Sequence, residues 1–121
     1  MKRPEEELQR AVVQFLKVAC PTALWFAVPN QRGTRKRWEN EMLVAMGVRA
    51  GVPDLVFVLP GGRVGFIELK APKGGRMEAS QLIFAEEALA LGALHLVCRS
   101  VAEVQGALAA WGLPLRGRVV E

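Results

Sequence analysis

Between residues 54 and 81 the sequence spaces two carboxylates, a lysine and a glutamine, namely Asp54, Glu68, Lys70 and Gln81, so that they could act together. In Val64-Gly65-Phe66-Ile67-Glu68-Leu69-Lys70, a β-prone run, side chains two apart share one face, so Phe66, Glu68 and Lys70 project together while Ile67 and Leu69 face the other way. The run Leu55-Val56-Phe57-Val58-Leu59 precedes it across Pro60-Gly61-Gly62, a turn signal, and the two runs read as a β-hairpin. With the turn centred on Gly61 or Gly62, Asp54 falls opposite Glu68 or Leu69, where paired positions are about 5 Å apart. Two acids held that close repel unless a cation sits between them, and Mg²⁺ is bound mainly through one or two carboxylates plus water and phosphate oxygens. A bound metal lowers the pKa of its water from 15.7 to roughly 7 in the best cases, so no histidine base is needed. An ammonium at Lys70 can orient or help deprotonate the attacking water and neutralise charge developing on phosphate. The chemistry these residues suit is hydrolysis of a phosphodiester. A Glu-x-Lys pair alone is more often the solvated edge of a hairpin. Phe66, Ile67 and Leu69 instead mark a buried strand, where unpartnered charges are expensive and call for a cation or a partner.

The elements that must carry these residues follow from periodicity. Leu8, Val12, Phe15, Leu16 and Ala19 recur at three- and four-residue steps and predict an amphipathic helix from about residue 5 to 19, with Pro4 in its first turn and Pro21 beyond its end. Leu24 to Val28 reads as a strand stopped by Pro29-Asn30. The basic stretch from Gln31 to Arg37 reads as an exposed loop leading into a helix around Trp38 to Met46, capped by Gly47. After the hairpin, a loop from Ala71 to Met77 leads into a helix carrying Gln81, Phe84, Ala85, Ala88 and Leu89. Leu94 to Cys98 is a further strand, and Val101 to Trp111 a closing helix ended by Gly112 and Pro114. The order predicts an α/β domain whose mixed sheet is flanked by helices.

Composition narrows the classes. The 121 residues are the length of one domain, and we read 1–121 as a single unit. With 51% hydrophobic and 23% charged residues, disorder, collagen and coiled coil are excluded. No apolar run reaches the roughly 18 residues a membrane span requires, and acidic Glu5, Glu6 and Glu7 stand where a secretory signal would be apolar. An intracellular, cytoplasmic protein is the expectation. Cys20 and Cys98, each in an apolar setting, read as buried reduced thiols, and one histidine with two isolated cysteines makes no zinc site. The net charge of +4 favours an anionic partner. Arg32, Arg35, Lys36 and Arg37 are the leading candidates for DNA backbone contacts, with Arg49, Lys73 and Arg76 behind them. Such contacts carry no sequence information. Trp25, Trp38 and Trp111 read as core or interface residues, and His95, inside a β run, as structural.

Pro53-Asp54 followed by Glu68-Leu69-Lys70 resembles the PD-(D/E)XK nuclease signature. The fuller string Gly51-Val52-Pro53-Asp54-Leu55, Ile67-Glu68-Leu69-Lys70-Ala71-Pro72 and Gln81 resembles its VRR-NUC branch, small stand-alone type. The likeness covers nearly the whole chain, with the helix around Trp38 as an insertion. It implies a restriction-endonuclease-like αβββαβ core and a Mg²⁺- or Mn²⁺-dependent deoxyribonuclease similar to Holliday-junction resolvases, acting on branched DNA as a homodimer. By this resemblance Asp54 and Glu68 hold metal with the backbone carbonyl of Leu69, Lys70 orients or activates water, and Gln81 supports the scissile phosphate. An acid on the first helix completes the site. Helical geometry places Glu5 nearest the apolar stripe, Glu6 at its edge and Glu7 outside. Glu5 also fits the family's Glu-x-x-Leu-Gln pattern through Leu8 and Gln9, so Glu5 ranks first and Glu6 second. The small capping residue usual before the helix of Gln81 is replaced here by Glu78. Two other readings stand beside the resolvase: a nicking or exonucleolytic enzyme without junction preference, and a DNA-binding module that does not cut.

Overall fold

In the computed structural model, which describes residues 4–29 and 36–116, every predicted element forms. The chain runs α1 (Pro4–Ala19), β1 (Leu24–Ala27), α2 (Arg37–Ala45), β2 (Leu55–Val58), β3 (Val64–Leu69), α3 (Ala79–Ala90), β4 (Leu94–Cys98) and α4 (Val101–Ala110). The sheet order is β1-β2-β3-β4. The first three strands are antiparallel, whereas β4 runs parallel to β3, a reversal made possible by the crossover through α3. The hairpin turn, Pro60–Gly62, centres on Gly61 at φ +86°, a conformation that costs glycine nothing. The architecture is α/β, a four-stranded mixed sheet flanked by helices.

One side of the sheet supplies the core. Val12 and Leu16 of α1, Val104 and Leu108 of α4, and Leu55, Phe57, Ile67, Leu69 and Cys98 from the strands are buried together. Gly65 makes room on this side of β3, since a Cβ there would fall 2.6 Å from the Trp111 ring. Trp25 and Trp111 pack against this cluster as expected. Cys20 and Cys98 are free and buried. On the other side α3 crosses β3, where Phe66 meets Phe84 edge-on at 5.0 Å between ring centroids.

Trp38 departs from expectation as a core residue, for it is 60% exposed. It belongs to α2, none of whose residues is buried. The helix is inserted between β1 and β2, which pair directly with each other, and it covers no apolar side of the sheet: Leu24, Phe26 and Val58 of these strands stay exposed. Among the described residues no helix is long and apolar enough to cross a membrane.

Candidate active site

Asp54 sits one residue before β2, and its carbonyl accepts a hydrogen bond from the Val28 N–H at 2.9 Å, which ties it to the end of β1. The register Leu55↔Ile67, carried back one step, sets Asp54 opposite Glu68, one of the two partners the turn position allowed. Its Oδ2 accepts the Leu69 N–H at 2.7 Å, so the carboxylate is seated by backbone. Glu68 is fully buried, and Lys70, Gln81 and Asp54 expose only 2%, 5% and 7%. The hairpin and α3 thus gather in the interior four polar side chains that the sequence spreads over 28 positions.

Three of these groups meet at one oxygen of Glu68, whose other oxygen, Oε1, is buried without a hydrogen bond among the described residues. Lys70 Nζ lies 3.7 Å from Glu68 Oε2, and Gln81 Nε2 donates to the same oxygen at 3.0 Å. The other end of the amide, Gln81 Oε1, accepts from the Glu78 N–H at 2.8 Å and so helps cap α3 where the usual small capping residue is missing. Gln81 is therefore turned onto Glu68 and the helix end.

Gly51 explains how α3 comes so close. It adopts φ +85°, and a Cβ on it would lie 2.2 Å from the Ser80 carbonyl oxygen. Only a residue without a side chain lets the segment leading to Asp54 press against the turn of α3 that carries Gln81. Arg99 performs a related task after Lys70: its guanidinium donates to the Ala71 carbonyl at 2.8 Å and the Gly75 carbonyl at 2.7 Å. That pair of bonds fastens the loop next to the lysine. Sequence reading missed Arg99 because an arginine just past a strand looks like any surface cation.

In front of the site lies a groove of about 1410 Å³, floored by Asp54, Leu69 and Ala71 and walled by α1 and residues 27–29. Glu5 and Glu6 line it and Glu7 does not, in agreement with the ranking from helical geometry. Glu5 reaches the wall of this groove, and among the described residues no three Asp, Glu, His or Cys side chains come together as a metal cluster. The three-acid arrangement with Glu5 is accordingly not assembled here, because α1 stands across the groove from the floor. What is assembled is a pair of carboxylates, Asp54 facing the groove and Glu68 behind it. Hard oxygen donors of this number suit Mg²⁺ or Mn²⁺, which take one or two carboxylates and fill the remaining positions with water and phosphate oxygens.

The predicted backbone contacts scatter. Lys73 and Arg76 are exposed in the loop after Lys70, and Lys36 is exposed at the start of α2. Arg37 is held by Glu41 at 2.9 Å on its own helix. Arg49 is committed elsewhere, paired with Glu87 at 3.2 Å and stacked 5.1 Å from the centre of the Phe84 ring, so it latches the segment before Gly51 onto α3. Arg32 and Arg35 lie outside the described residues. Neither cysteine is poised as a nucleophile: burial pushes the Cys98 thiol up to about 11, with the Glu103 carboxylate adding to the shift, and burial raises Cys20 as well.

Comparison with solved structures returns the same fold. One protein described as a "VRR_NUC domain protein" matches 93% of this chain and 90% of its own, with 20% sequence identity and a TM-score of 0.67. A second, described as a "VRR_NUC domain", matches 91% of this chain and 99% of its own, with 21% identity and a TM-score of 0.61. No family model and no curated protein matches the sequence. At such identity the likeness is one of backbone, and it establishes the restriction-endonuclease-like fold across nearly the full chain.

Proposed function

We propose that this protein is a metal-dependent, structure-selective DNA endonuclease that hydrolyses phosphodiester bonds at branched DNA in the manner of a Holliday-junction resolvase. The observation that carries the reading is the burial of Asp54, Glu68, Lys70 and Gln81, the last three bonded to one another and Asp54 lining an open groove, on the fold of two VRR_NUC domain structures. Burying two acids and a lysine is costly unless their arrangement is used. Asp54 and Glu68, with the Leu69 carbonyl, would hold Mg²⁺ or Mn²⁺. When bound, that ion supplies Lewis-acid activation of the phosphate and a nucleophile at neutral pH. Lys70, fixed by Glu68, presents an ammonium that orients the attacking water and offsets charge on the phosphate oxygens. Gln81 holds the Glu68 carboxylate in place, and Glu5 and Glu6 extend the acidic surface into the groove. One site per chain cuts one strand, so paired cuts require two copies and a homodimer is part of the proposal.

The test is cleavage of a labelled four-way junction and its matched linear duplex with Mg²⁺, Mn²⁺ or EDTA, for wild type and Asp54→Ala. Paired symmetric cuts confined to the junction, abolished by EDTA and by the substitution, are the expected result. Equal cutting of the linear duplex would keep the nuclease and remove the junction preference. Tight binding without cutting in any metal would leave a DNA-binding module.

A further inference from the structure

Arg99 is the first residue after β4, and its backbone is held as firmly as its side chain. Its N–H donates to Glu103 Oε1 at 2.8 Å, and the Glu103 N–H donates in turn to Ser100 Oγ at 3.1 Å, so the first turn of α4 fixes the backbone from which the arginine projects. The guanidinium, half-buried, reaches across to the carbonyls of Ala71 and Gly75, which stand on either side of the turn at residues 72–74. One planar fork thus bridges both ends of that turn, which an ammonium on a flexible stem does not reproduce. Among the described residues the guanidinium forms no ion pair, so its charge-assisted bonds go to these two carbonyls.

The loop closed in this way lies on Lys70. The Lys70 N–H donates to the carbonyl of Cys98, the neighbour of Arg99, at 3.1 Å. Gly75 folds back against the same spot: a Cβ there would come 2.9 Å from the Ala71 nitrogen and 3.2 Å from Lys70 Cβ. The lysine is sealed from water, yet its ammonium stands 3.7 Å from Glu68 Oε2, longer than the roughly 2.7–2.9 Å of a charge-assisted hydrogen bond. Glu68 therefore attracts the ammonium without fixing it, and a lysine stem is flexible by itself. What fixes it is the packing at its base, and Arg99 closes that packing.

We infer that Arg99 is a positioning residue for Lys70: by clamping Ala71 and Gly75 it keeps the loop folded over the lysine, excludes water from it and sets where its ammonium stands. The inference rests on the nuclease reading for what the ammonium does, and on the clamp alone for how it is held. Arg99 acts through the loop, on turnover and not on affinity for DNA.

Lysine acetylation of the full chain with acetic anhydride in native buffer tests this, read by mass spectrometry with exposed Lys17 as the internal reference. Arg99→Lys keeps the charge and loses the fork. Gly75→Ala keeps the fork and forces the loop away from Lys70. Each should raise the labelling of Lys70 relative to Lys17 about fivefold or more through local opening, in a chain that circular dichroism shows to be folded. In cleavage with Mg²⁺, Arg99→Lys should lower kcat about tenfold or more and leave KM within about threefold. Wild-type labelling of Lys70 in Arg99→Lys overturns the inference, and so does a loss confined to KM, which would make Arg99 a DNA contact. If Arg99→Lys does not fold, Gly75→Ala decides, and wild-type labelling there overturns the inference equally. A wild type that cuts nothing while the variants expose Lys70 sinks the nuclease reading alone; a wild type that cuts while Arg99→Lys cuts as fast sinks the positioning role alone.

Discussion

On one side of β3, Ile67 and Leu69 are buried with aliphatic side chains of α1, α4 and the neighbouring strands, and Gly65 lies under the Trp111 ring. On the other, Glu68 and the adjoining Lys70 are buried just as fully, against α3. The two sides reach the same exclusion of water by different means. Apolar groups need only contact, and their burial is favourable atom by atom. Charged groups lose hydration, and their burial holds only while each keeps its partner, as Glu68 does with Lys70 and Gln81. The first side makes the domain stable, and the second is stable only as a set.

Removing one member of that set gives the largest effect. Glu68→Leu strands the Lys70 ammonium in the interior and should cost about 3–5 kcal/mol, whereas Glu68→Leu with Lys70→Met together should return most of it. Neither should cut DNA. Ile67→Ala on the apolar side should cost a comparable ~2–5 kcal/mol through the cavity it leaves, yet keep the cleavage rate per folded molecule. Urea unfolding beside single-turnover cleavage separates stability from chemistry. A Glu68→Leu protein as stable as wild type would show that Lys70 does not depend on its partner.

Next in size is the approach between the Asp54 segment and α3. Gly51→Ala must hold φ +85° at a cost of about 1–3 kcal/mol and must also displace the Ser80 carbonyl. A shift of about 1 Å between Asp54 and Gln81 is enough for a hundredfold loss of rate, so activity should fall much further than stability. The same urea and cleavage measurements check it, and a rate within about threefold of wild type would mean that the contact with Ser80 does not position the site.

The sequence made the first side of β3 legible through alternation and the second through the contradiction of charges in an apolar run. Asp54, Glu68, Lys70 and Gln81 could be named because their types conflict with burial, and a turn centred on Gly61 brought the acids into register. Gln81's inward turn onto Glu68 was not legible, since an amide at the start of a helix can face either way until the facing strand is known. Arg99 was missed because of where it stands. Cations just past strands and in loops look alike in sequence, and only the packing of residues 71–75 beside Arg99 distinguishes it. Arg49, a weaker candidate for a DNA contact, meets Glu87 and the Phe84 ring, partners the sequence did not reveal.

The smallest effect concerns His95, which pairs in register with Phe66 and so shares the side of the sheet that carries Glu68. Its Nε2 is buried with no hydrogen-bond partner among the described residues. Burial lowers its pKa below the usual 6.5, the larger influence, against a backbone hydrogen bond that raises it. Above pH 7 the ring is neutral in both folded and unfolded chains and contributes no pH dependence. As pH falls below 6.5 the unfolded chain takes up a proton that the folded one resists, so stability declines through that window and levels off once both forms are charged. His95→Leu removes both the titration and the buried nitrogen. Between pH 7.5 and 5.5 the urea midpoint of wild type should drop more than that of His95→Leu, with the Glu68 cluster unchanged in both. Equal drops would show that His95 is not the source of the acid sensitivity.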